Sequence, residues 1–377
     1  MEILISGGAG FIGSHLAVRL LALGHRVTVL DNLLPQVHGE QPAKDSYLYR
    51  RVNASVAFVK GDVTSRQDWE KCLENKDAVV HLAAETGTGQ SMYRIARYTD
   101  VNVCGTATML DVLANASRHS VKKIVLASSR AVYGEGKYRC PDGRIVYPPP
   151  RRKIDLDNGI FEVQHPGEAF LQALATDESS ALHPTSVYGL TKLHQEQLLT
   201  TVCPAIDVAP VVLRYQNVYG PGQSLRNPYT GILSIFSTLI CQGKELNIFE
   251  DGQESRDFVF IDDVVEATVL ALTRGEANGQ VFNVGAGKPV SVLEVAKTLM
   301  KYFGKQVKFN VSGNYRLGDI RHNFADISRI NKELGYTPLV SFDEGIRRFV
   351  AWVNEQGVQE SGYEDSLTEM AQRGMFK

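Results

Sequence analysis

A run of glycines near the start of the chain constrains the fold more than any other feature. Gly7, Gly8, Gly10 and Gly13 directly follow the apolar segment 1–5 and precede a segment with helical periodicity. Glycines at such a turn let the backbone bend sharply and approach a pyrophosphate, whose charge the N–H groups of the following helix can bind. The order of strand, glycine turn and helix therefore predicts the first β-α unit of a dinucleotide-binding domain.

Apolar segments rich in β-forming residues alternate with amphipathic segments as far as residue 215. The predicted strands are 2–6, 26–31, 56–60, 78–82, 123–128 and 211–215. The predicted helices are 12–23, 66–74, 99–117, 186–201 and, later in the chain, 291–303. Such alternation is typical of parallel β-α-β units. We therefore expect an α/β fold, with a Rossmann-type doubly wound parallel sheet and a smaller mixed α/β substrate-binding lobe.

The length of the chain indicates two domains, because 377 residues exceed what one hydrophobic core usually supports. We expect residues 1–218, together with about 258–285, to form the dinucleotide-binding domain. Residues 219–257 and 286–377 are expected to form the substrate-binding lobe.

Residues 135–184 interrupt the first domain with a long, polar and turn-rich insertion. We interpret it as a surface insertion with a polyproline kink at 148–150. A loop that covers the active site, or binds a partner, is the alternative.

The composition excludes several classes of partner. A net charge of −2 at pH 7 gives no broad attraction to nucleic acid or to an anionic membrane surface. The chain starts without the features of a signal peptide, and no apolar run reaches the ~20 residues that span a bilayer. The five cysteines are scattered and never form a C-x-x-C pair, which favours free thiols over disulfides or a metal site. We expect a cytoplasmic protein with no metal, no nucleic acid and no membrane as partner.

An acidic residue at the end of the second predicted strand indicates which dinucleotide binds. Asp31 lies 18 residues after Gly13, where a carboxylate can accept both hydroxyls of the adenosine ribose and would repel a 2′-phosphate. The cofactor is therefore expected to be NAD rather than NADP. Asp62 ends the next predicted strand, where a side chain can meet the adenine. An ordinary turn aspartate is the alternative at both positions.

Tyr188 and Lys192 lie four residues apart on a predicted helix, so their side chains share one face. An ammonium beside a phenol stabilises the phenolate and lowers its pKa, which makes Tyr188 a usable general base. Ser129, at the carboxyl end of the fifth predicted strand, is the candidate for orienting the hydroxyl that loses its proton. The Y-x-x-x-K spacing is common by chance, and its significance here comes from the dinucleotide-binding unit before it.

Taken in order, these motifs resemble those of the nucleotide-sugar epimerase/dehydratase family, which belongs to the extended short-chain dehydrogenases/reductases. The matching segments are 7–13, 31, 61–63, 81–84, 101–106, 128–129, 132–134, 188–192, 213–222, 256–263 and 316–319. The resemblance covers nearly the whole chain. It implies an NAD-dependent enzyme that oxidises a nucleotide sugar at C4, with Ser129, Tyr188 and Lys192 as catalytic residues.

The resemblance also implies which residues bind the two ligands. The expected cofactor-binding residues are Gly7, Gly10, Phe11, Ile12, Gly13, Asp31, Asn32, Asp62, Val63, Leu82, Ala83, Ala84, Asn102, Ser128, Tyr188, Lys192 and Tyr215. The expected substrate-binding residues are Glu85, Arg130, Asn217, Phe249, Arg256, Arg316 and Asp319. Arg256 and Arg316 resemble the pair that binds the diphosphate, which suits two guanidinium groups and a dianion. Phe249 is expected to stack on the base.

Members of this family share oxidation at C4 and then differ in the next step. Dehydratases have an Asp-Glu pair directly after the strand-end hydroxyl residue, and decarboxylases also use a glutamate there. This chain has Arg130 and Ala131 at those positions. General acid–base catalysis contributes roughly 10²–10⁴-fold, so the missing acid disfavours dehydration. Epimerisation at C4 through a transient 4-keto sugar is expected instead.

Segments 84–92 and 129–138 and the insertion resemble the bacterial dTDP-L-rhamnose 4-epimerases more than ordinary UDP-galactose 4-epimerases. The expected reaction is therefore dTDP-L-rhamnose to dTDP-6-deoxy-L-talose. The alternatives are a UDP-glucose/UDP-galactose 4-epimerase, a net 4-dehydrogenase or ketoreductase, and a non-catalytic nucleotide-sensing scaffold. The family also suggests a homodimer that forms through the predicted helices 99–117 and 186–201.

Overall fold

The computed structural model describes residues 1–168, 170–225, 227, 231–357 and 362–377. In these ranges the strands are β1 Glu2–Ser6, β2 Arg26–Asp31, β3 Ala57–Lys60, β4 Ala78–His81, β5 Lys123–Ser129, β6 Tyr138–Arg139, β7 Ile145–Val146, β8 Gln172–Ala173, β9 Ala209–Tyr215, β10 Asn217–Tyr219, β11 Leu246–Ile248, β12 Ser255–Phe260, β13 Val281–Val284, β14 Pro289–Ser291, β15 Phe309–Val311 and β16 His322–Asn323. The α-helices are α1 Phe11–Ala22, α2 Pro35–His38, α3 Pro42–Asp45, α4 Tyr47–Val52, α5 Arg66–Leu73, α6 Thr88–Ser91, α7 Ile95–Tyr98, α8 Gly105–Asn115, α9 Lys153–Asp157, α10 Val187–Val202, α11 Ile232–Gln242, α12 Ile261–Thr273, α13 Val292–Phe303, α14 Ser328–Leu334, α15 Phe342–Gln356 and α16 Tyr363–Gln372.

A seven-stranded parallel sheet in the order β13-β9-β5-β4-β1-β2-β3 forms the centre of the fold. Neighbouring residues of its strands belong to different cores, since Ile3 and Ile5 pack on one face and Leu4 packs on the other. The strand order reverses between β1 and β4, which is where doubly wound sheets bind their ligands. The predicted α/β class is confirmed.

The predicted strands and helices of the first half appear within two residues of their expected bounds. One predicted helix is divided, because a π-helical stretch, Thr99–Cys104, precedes α8. In the second half of the chain, helices α11, α12, α14, α15 and α16 lie where the sequence pattern indicated only loosely spaced turns and strands. Helix α11 shows why: the residues from Leu233 to Ile240 are all buried, so the helix has no polar face to reveal its period.

The second half of the chain adds smaller sheets beside the large one. Strand β12 pairs with β10, β14 and β16, and β11 pairs with β15. Strand β13 returns to the large sheet, where it pairs with β9. None of the described helices combines the length and the apolar character that a membrane-spanning helix needs.

The insertion is held firmly against the rest of the chain. It contains the small antiparallel sheet β7-β6-β8 and helix α9. Two of its charged side chains are almost fully buried, Glu135 with 1% and Arg151 with 3% of the side chain exposed. Arg151 donates hydrogen bonds of 2.8 Å to Glu250 and to the carbonyl oxygen of Asp319. The insertion therefore packs against other parts of the protein through buried charged groups, whereas the sequence favoured a surface insertion.

Candidate active site

A cavity of about 450 Å³ lies at the carboxyl edge of the large sheet. The residues predicted from the sequence that line it are Gly7, Gly10, Phe11, Ile12, Gly13, Asp31, Asn32, Val63, Leu82, Ala83, Ala84, Glu85, Ser128, Ser129, Arg130, Tyr188, Lys192, Tyr215 and Asn217. Six other predicted residues do not belong to its wall. They are Asp62, Asn102, Phe249, Arg256, Arg316 and Asp319.

The glycine turn after β1 has a shape that only glycines allow. Gly7 has a φ of +72°, and a Cβ there would lie 2.6 Å from the nitrogen of Ala83. A Cβ at Gly13 would lie 2.3 Å from the carbonyl oxygen of Gly7. No side chain of the described residues caps α1 at Gly10, so the first N–H groups of the helix remain for a ligand in the cavity. The turn therefore fits the pyrophosphate of a dinucleotide.

Asp31 is fixed at the cavity wall by two backbone groups. Its Oδ2 accepts a 3.0 Å hydrogen bond from the nitrogen of Ala9, and its Oδ1 accepts one of 2.9 Å from the nitrogen of Leu33. Burial raises the pKa of Asp31, whereas these N–H groups and nearby His38 act in the opposite direction. Each carboxylate oxygen retains a second lone pair, which suits the two ribose hydroxyls of NAD.

Asp62 and Asn102 make structural contacts beside the cavity. Asp62 accepts hydrogen bonds from Asn32 and Thr64. The amide of Asn102 bonds to both backbone groups of Glu85 and donates to Thr191 on α10 at 2.9 Å. Asn102 thereby joins the loop after β4 to the helix that carries Tyr188.

Ser129, Tyr188 and Lys192 lie together at the end of β5 and the start of α10. The Nζ of Lys192 lies 6.0 Å from the centre of the Tyr188 ring and donates a 2.9 Å hydrogen bond to the carbonyl oxygen of Ala127. Ser186 caps α10 by accepting a hydrogen bond from the nitrogen of Gly189, which fixes the turn that bears Tyr188.

The pKa values of this pair differ from the simple expectation. Burial raises the pKa of Tyr188, although the neighbouring Ser129 side chain and the charge of Arg130 act to lower it. Burial also lowers the pKa of Lys192 to about 7, against the influence of Glu196. The net direction for Tyr188 is therefore opposite to the lowering that its position beside Lys192 predicted, because burial penalises the charged form of both groups.

A buried ion pair that was not predicted from the sequence lies behind Lys192. Arg214 on β9 binds Glu196 in a bidentate manner, with distances of 3.0 and 2.7 Å, and Ser128 donates to the same carboxylate. Glu196 lies one helical turn beyond Lys192, so an acid at this spacing was the available signal.

Four arginines surround Asp319 next to the cavity. They are Arg316, Arg256, Arg151 and Arg130. Burial acts to raise the pKa of Asp319, but the charges of these arginines hold it below its usual range. Arg256 donates its hydrogen bonds to the backbone carbonyls of Ser255, Ile320 and Arg321. Arg130 belongs to the cavity wall as well, so it connects the cavity to this cationic cluster.

Phe249, which is expected to stack on the base, contacts one of these four arginines. The guanidinium of Arg316 lies 5.5 Å from the centre of the Phe249 ring and forms a 3.0 Å hydrogen bond with Asp319. The predicted base-binding and diphosphate-binding residues are therefore neighbours, although the chain separates them by more than 60 residues.

Two glutamines of the cavity wall were not predicted. Both side-chain polar atoms of Gln216 and the Oε1 of Gln223 are buried without a hydrogen-bond partner among the described residues. Buried polar atoms without partners are costly and suit a polar ligand. Gln216 stands inside the motif 213–222, so its place in that motif was a usable signal.

Comparison with known proteins gives consistent results. The model of the NAD-dependent epimerase/dehydratase family matches residues 3–152 and 166–285. The dTDP-L-rhamnose 4-epimerase of Burkholderia thailandensis is 40% identical over 94% of this chain and 95% of its own length.

Solved structures agree with this match. The UDP-glucuronic acid 4-epimerase of Bacillus cereus, in complex with UDP-glucuronic acid and NAD, superposes with a TM-score of 0.77 at 27% identity, covering 94% of this chain and all of that one. The UDP-glucose 4-epimerase of Thermotoga maritima, with UDP-glucose, gives a TM-score of 0.75 at 29% identity, covering 94% of this chain and 99% of that one.

Proposed function

The chain belongs to the NAD-dependent epimerase/dehydratase family, and we propose that it interconverts nucleotide sugars of opposite configuration at C4. One observation carries the proposal: Ser129, Tyr188 and Lys192 line the same cavity as the glycine turn and Asp31. A proton acceptor and a dinucleotide site thus share one space, as oxidation of a hydroxyl-bearing carbon requires.

In the proposed mechanism, Ser129 orients the C4 hydroxyl and Tyr188 accepts its proton. Lys192, when protonated, favours the phenolate form of Tyr188. The glycine turn and Asp31 would hold NAD in the same cavity, where it would supply a reversible hydride acceptor for C4. The 4-keto sugar turns over in the pocket while its diphosphate stays bound, and Tyr188 gives its proton back to the new hydroxyl.

The turn after Ser129 favours epimerisation over dehydration. Ala131 is buried and has no acidic group, and Arg130 brings a positive charge to the cavity wall. The next acid, Glu135, is engaged elsewhere, since it accepts a 2.7 Å hydrogen bond from the nitrogen of Arg321 and lies 3.4 Å from Arg151. An elimination would lack a proton carrier at this position.

For the substrate we propose dTDP-L-rhamnose, with dTDP-6-deoxy-L-talose as the product. The dTDP-L-rhamnose 4-epimerase of Burkholderia thailandensis supports the choice of substrate through its 40% identity to this chain. UDP-sugar 4-epimerases are the second candidate, because structures such as that of the Thermotoga maritima enzyme share the fold over nearly the whole chain.

Purified protein incubated separately with dTDP-L-rhamnose and with UDP-glucose, followed by NMR of the products, tests the proposal. We expect the dTDP sugar to approach an equilibrium mixture of C4 epimers. Turnover of the UDP sugar alone would reject the dTDP assignment but keep 4-epimerisation.

Two other activities are distinguished by NADH absorbance and by nucleotide-sugar binding, measured on the same protein and substrates. A net 4-dehydrogenase or ketoreductase would change the NADH absorbance in proportion to product, whereas an epimerase regenerates its cofactor in each cycle. A nucleotide-sensing scaffold would bind the nucleotide sugars without converting any of them.

We also propose that the enzyme is a cytoplasmic homodimer. Leu190 on α10 and Ile95 on α7 support the dimer, because 45% and 54% of these apolar residues are exposed on helices that contact each other. The absence of disulfides among the described cysteines fits a reducing compartment. Light scattering after size-exclusion chromatography would give the mass, and a monomer would reject this interface.

A further inference from the structure

The last described segment of the chain, residues 362–377, lies against Arg316 and Phe249, which are expected to bind the diphosphate and the base of the substrate. The antiparallel bridge between Arg316 and Phe376 joins this C-terminal segment to the 316–319 motif. Backbone hydrogen bonds of 3.2 Å link Tyr315 and Lys377 in both directions, and one of 3.1 Å links Leu317 to Met375. The segment therefore continues the backbone structure of the motif itself.

Phe376 reaches the ring that is expected to stack on the base. Residues directly opposite each other in an antiparallel pair project their side chains from the same face, so Phe376 and Arg316 extend to the same side. Both contact Phe249: the ring centres of Phe376 and Phe249 lie 5.1 Å apart with an angle of 43° between the planes. The two phenyl rings thus form an aromatic corner next to the guanidinium of Arg316.

The insertion supports the C-terminal segment from the outside. Asp157 on α9 accepts hydrogen bonds of 2.8 Å from the hydroxyl of Tyr315 and 2.9 Å from the Nζ of Lys377. The cations Lys153 and Lys377 hold the pKa of Asp157 well below its usual range. Asp157 therefore joins the insertion, the motif and the C-terminal segment at one point.

The other end of the segment contacts the large domain. Tyr93, between α6 and α7, donates a 3.1 Å hydrogen bond to Glu369, and the guanidinium of Arg373 lies 4.5 Å from the Tyr93 ring centre. The segment thus extends from the connection between α6 and α7 to the aromatic corner. Neither residues 153–165 nor residues after 285 belong to the segments that match the family model.

We propose that residues 362–377 form a wall of the nucleobase subsite, in which Phe376 and Phe249 hold a pyrimidine base and Asp157 fixes the wall in place. The inference rests on the proposed function, since a nucleotide sugar supplies the base. An aromatic corner provides stacking area without regard to sugar identity, so this segment contributes affinity for the nucleotide and leaves the chemistry at C4 unchanged.

The test is calorimetric titration of the full-length, NAD-loaded protein with dTDP and with UDP. For Phe376→Ala we expect a dissociation constant for dTDP that is about 10-fold higher, because base–aromatic stacking is lost. Phe376→Tyr should restore binding, and Asp157→Asn should weaken it by a smaller factor. With the sugar nucleotide as substrate, KM should rise and kcat should stay within about 2-fold, as loss of binding remote from the reaction predicts.

Asp142→Asn is the matched control, since Asp142 lies in the same insertion, is exposed and pairs only with Arg144 in the described structure.

Unchanged or tighter dTDP binding by Phe376→Ala would overturn the inference, and tighter binding would mean that Phe376 competes with the base. If the wild type epimerises a dTDP sugar while Phe376→Ala binds normally, this inference fails alone. If Phe376→Ala loses dTDP but no dTDP sugar is converted, the proposed function fails instead. Binding of neither nucleotide by the wild type would reject both.

Discussion

The Nε of Arg130 donates a 2.8 Å hydrogen bond to the Oδ1 of Asn217, which joins the turn after β5 to the start of β10 at the cavity wall. Burial, followed by the charge of Arg256, lowers the pKa of Arg130 to about 9. Two cations that repel each other next to a cavity provide a favourable place for a dianion such as a diphosphate.

Replacement of Arg130 should therefore weaken the binding of substrate. A hydrogen bond to a charged group contributes about 1.5–3 kcal/mol, so Arg130→Ala should raise KM roughly 10-fold to 100-fold. Arg139→Ala, which removes an exposed arginine of the insertion, serves as the control. Steady-state kinetics with the preferred sugar nucleotide would measure both, and an unchanged KM in Arg130→Ala would remove Arg130 from the substrate site.

Loss of the Tyr188 hydroxyl should stop the reaction while the cofactor stays bound. General acid–base catalysis contributes roughly 10²–10⁴-fold, and we expect Tyr188→Phe to lose turnover by that factor. The variant should contain as much bound NAD as the wild type, as measured by absorbance after denaturation releases it. Tyr302→Phe, which alters a tyrosine bonded to Asp343 at the surface, should keep full activity. Comparable activity in Tyr188→Phe would require a different base.

The cofactor preference should depend on the charge of Asp31. Asp31→Asn keeps the shape of the side chain but loses one acceptor for the ribose hydroxyls and the repulsion of a 2′-phosphate. We expect the variant to bind NAD about 10-fold more weakly and to discriminate less against NADP, since a lost charge-assisted hydrogen bond has that order of cost. Titration of cofactor-free protein with both dinucleotides would show this. An unchanged preference for NAD would contradict the role of Asp31.

Glu254 should make the stability of the protein depend on pH. Burial, followed by the charge of Glu250, raises the pKa of Glu254 to about 7, and its Oε2 has no hydrogen-bond partner among the described residues. The folded state then binds a proton more tightly than the unfolded state, so this carboxyl destabilises the fold progressively as pH rises from about 4.5 to 7.

Glu254→Gln should remove that cost. The variant should resemble the wild type below about pH 4.5 and exceed its free energy of unfolding above pH 7 by on the order of 2–3 kcal/mol. Denaturant unfolding across this pH range would measure the difference. Glu364→Gln, which alters a glutamate with 74% of its side chain exposed, should show no such trend. A constant difference between Glu254→Gln and the wild type would contradict the assigned cause.

The parts of the site that could be predicted from the sequence are those built from short segments. The glycine turn and Asp31 were recognisable because their geometry follows from one β-α-β unit, and Tyr188 and Lys192 because they share a helix face. The contacts of Phe249 could not be predicted in this way, since Phe376 meets it from the far end of the chain.

The electrostatic expectations were less accurate for a related reason. A pKa depends on burial and on charges contributed by distant segments, neither of which a spacing of four residues reveals. Arg151 illustrates this, because its position in a polar, proline-rich insertion indicated exposure. The structure buries it against Glu250 instead.

The ion pair of Arg214 and Glu196 has a consequence for motion. It connects a central strand of the large sheet to α10, and both side chains are at least 94% buried. Detaching α10 would leave an uncompensated charge in the interior, at a cost of about 3–5 kcal/mol. Backbone amides along α10 should therefore exchange with deuterium only when the whole domain unfolds. The alignment of Tyr188 with Lys192 would then last as long as the folded state, and adjustment to different sugars would have to come from other parts of the cavity wall.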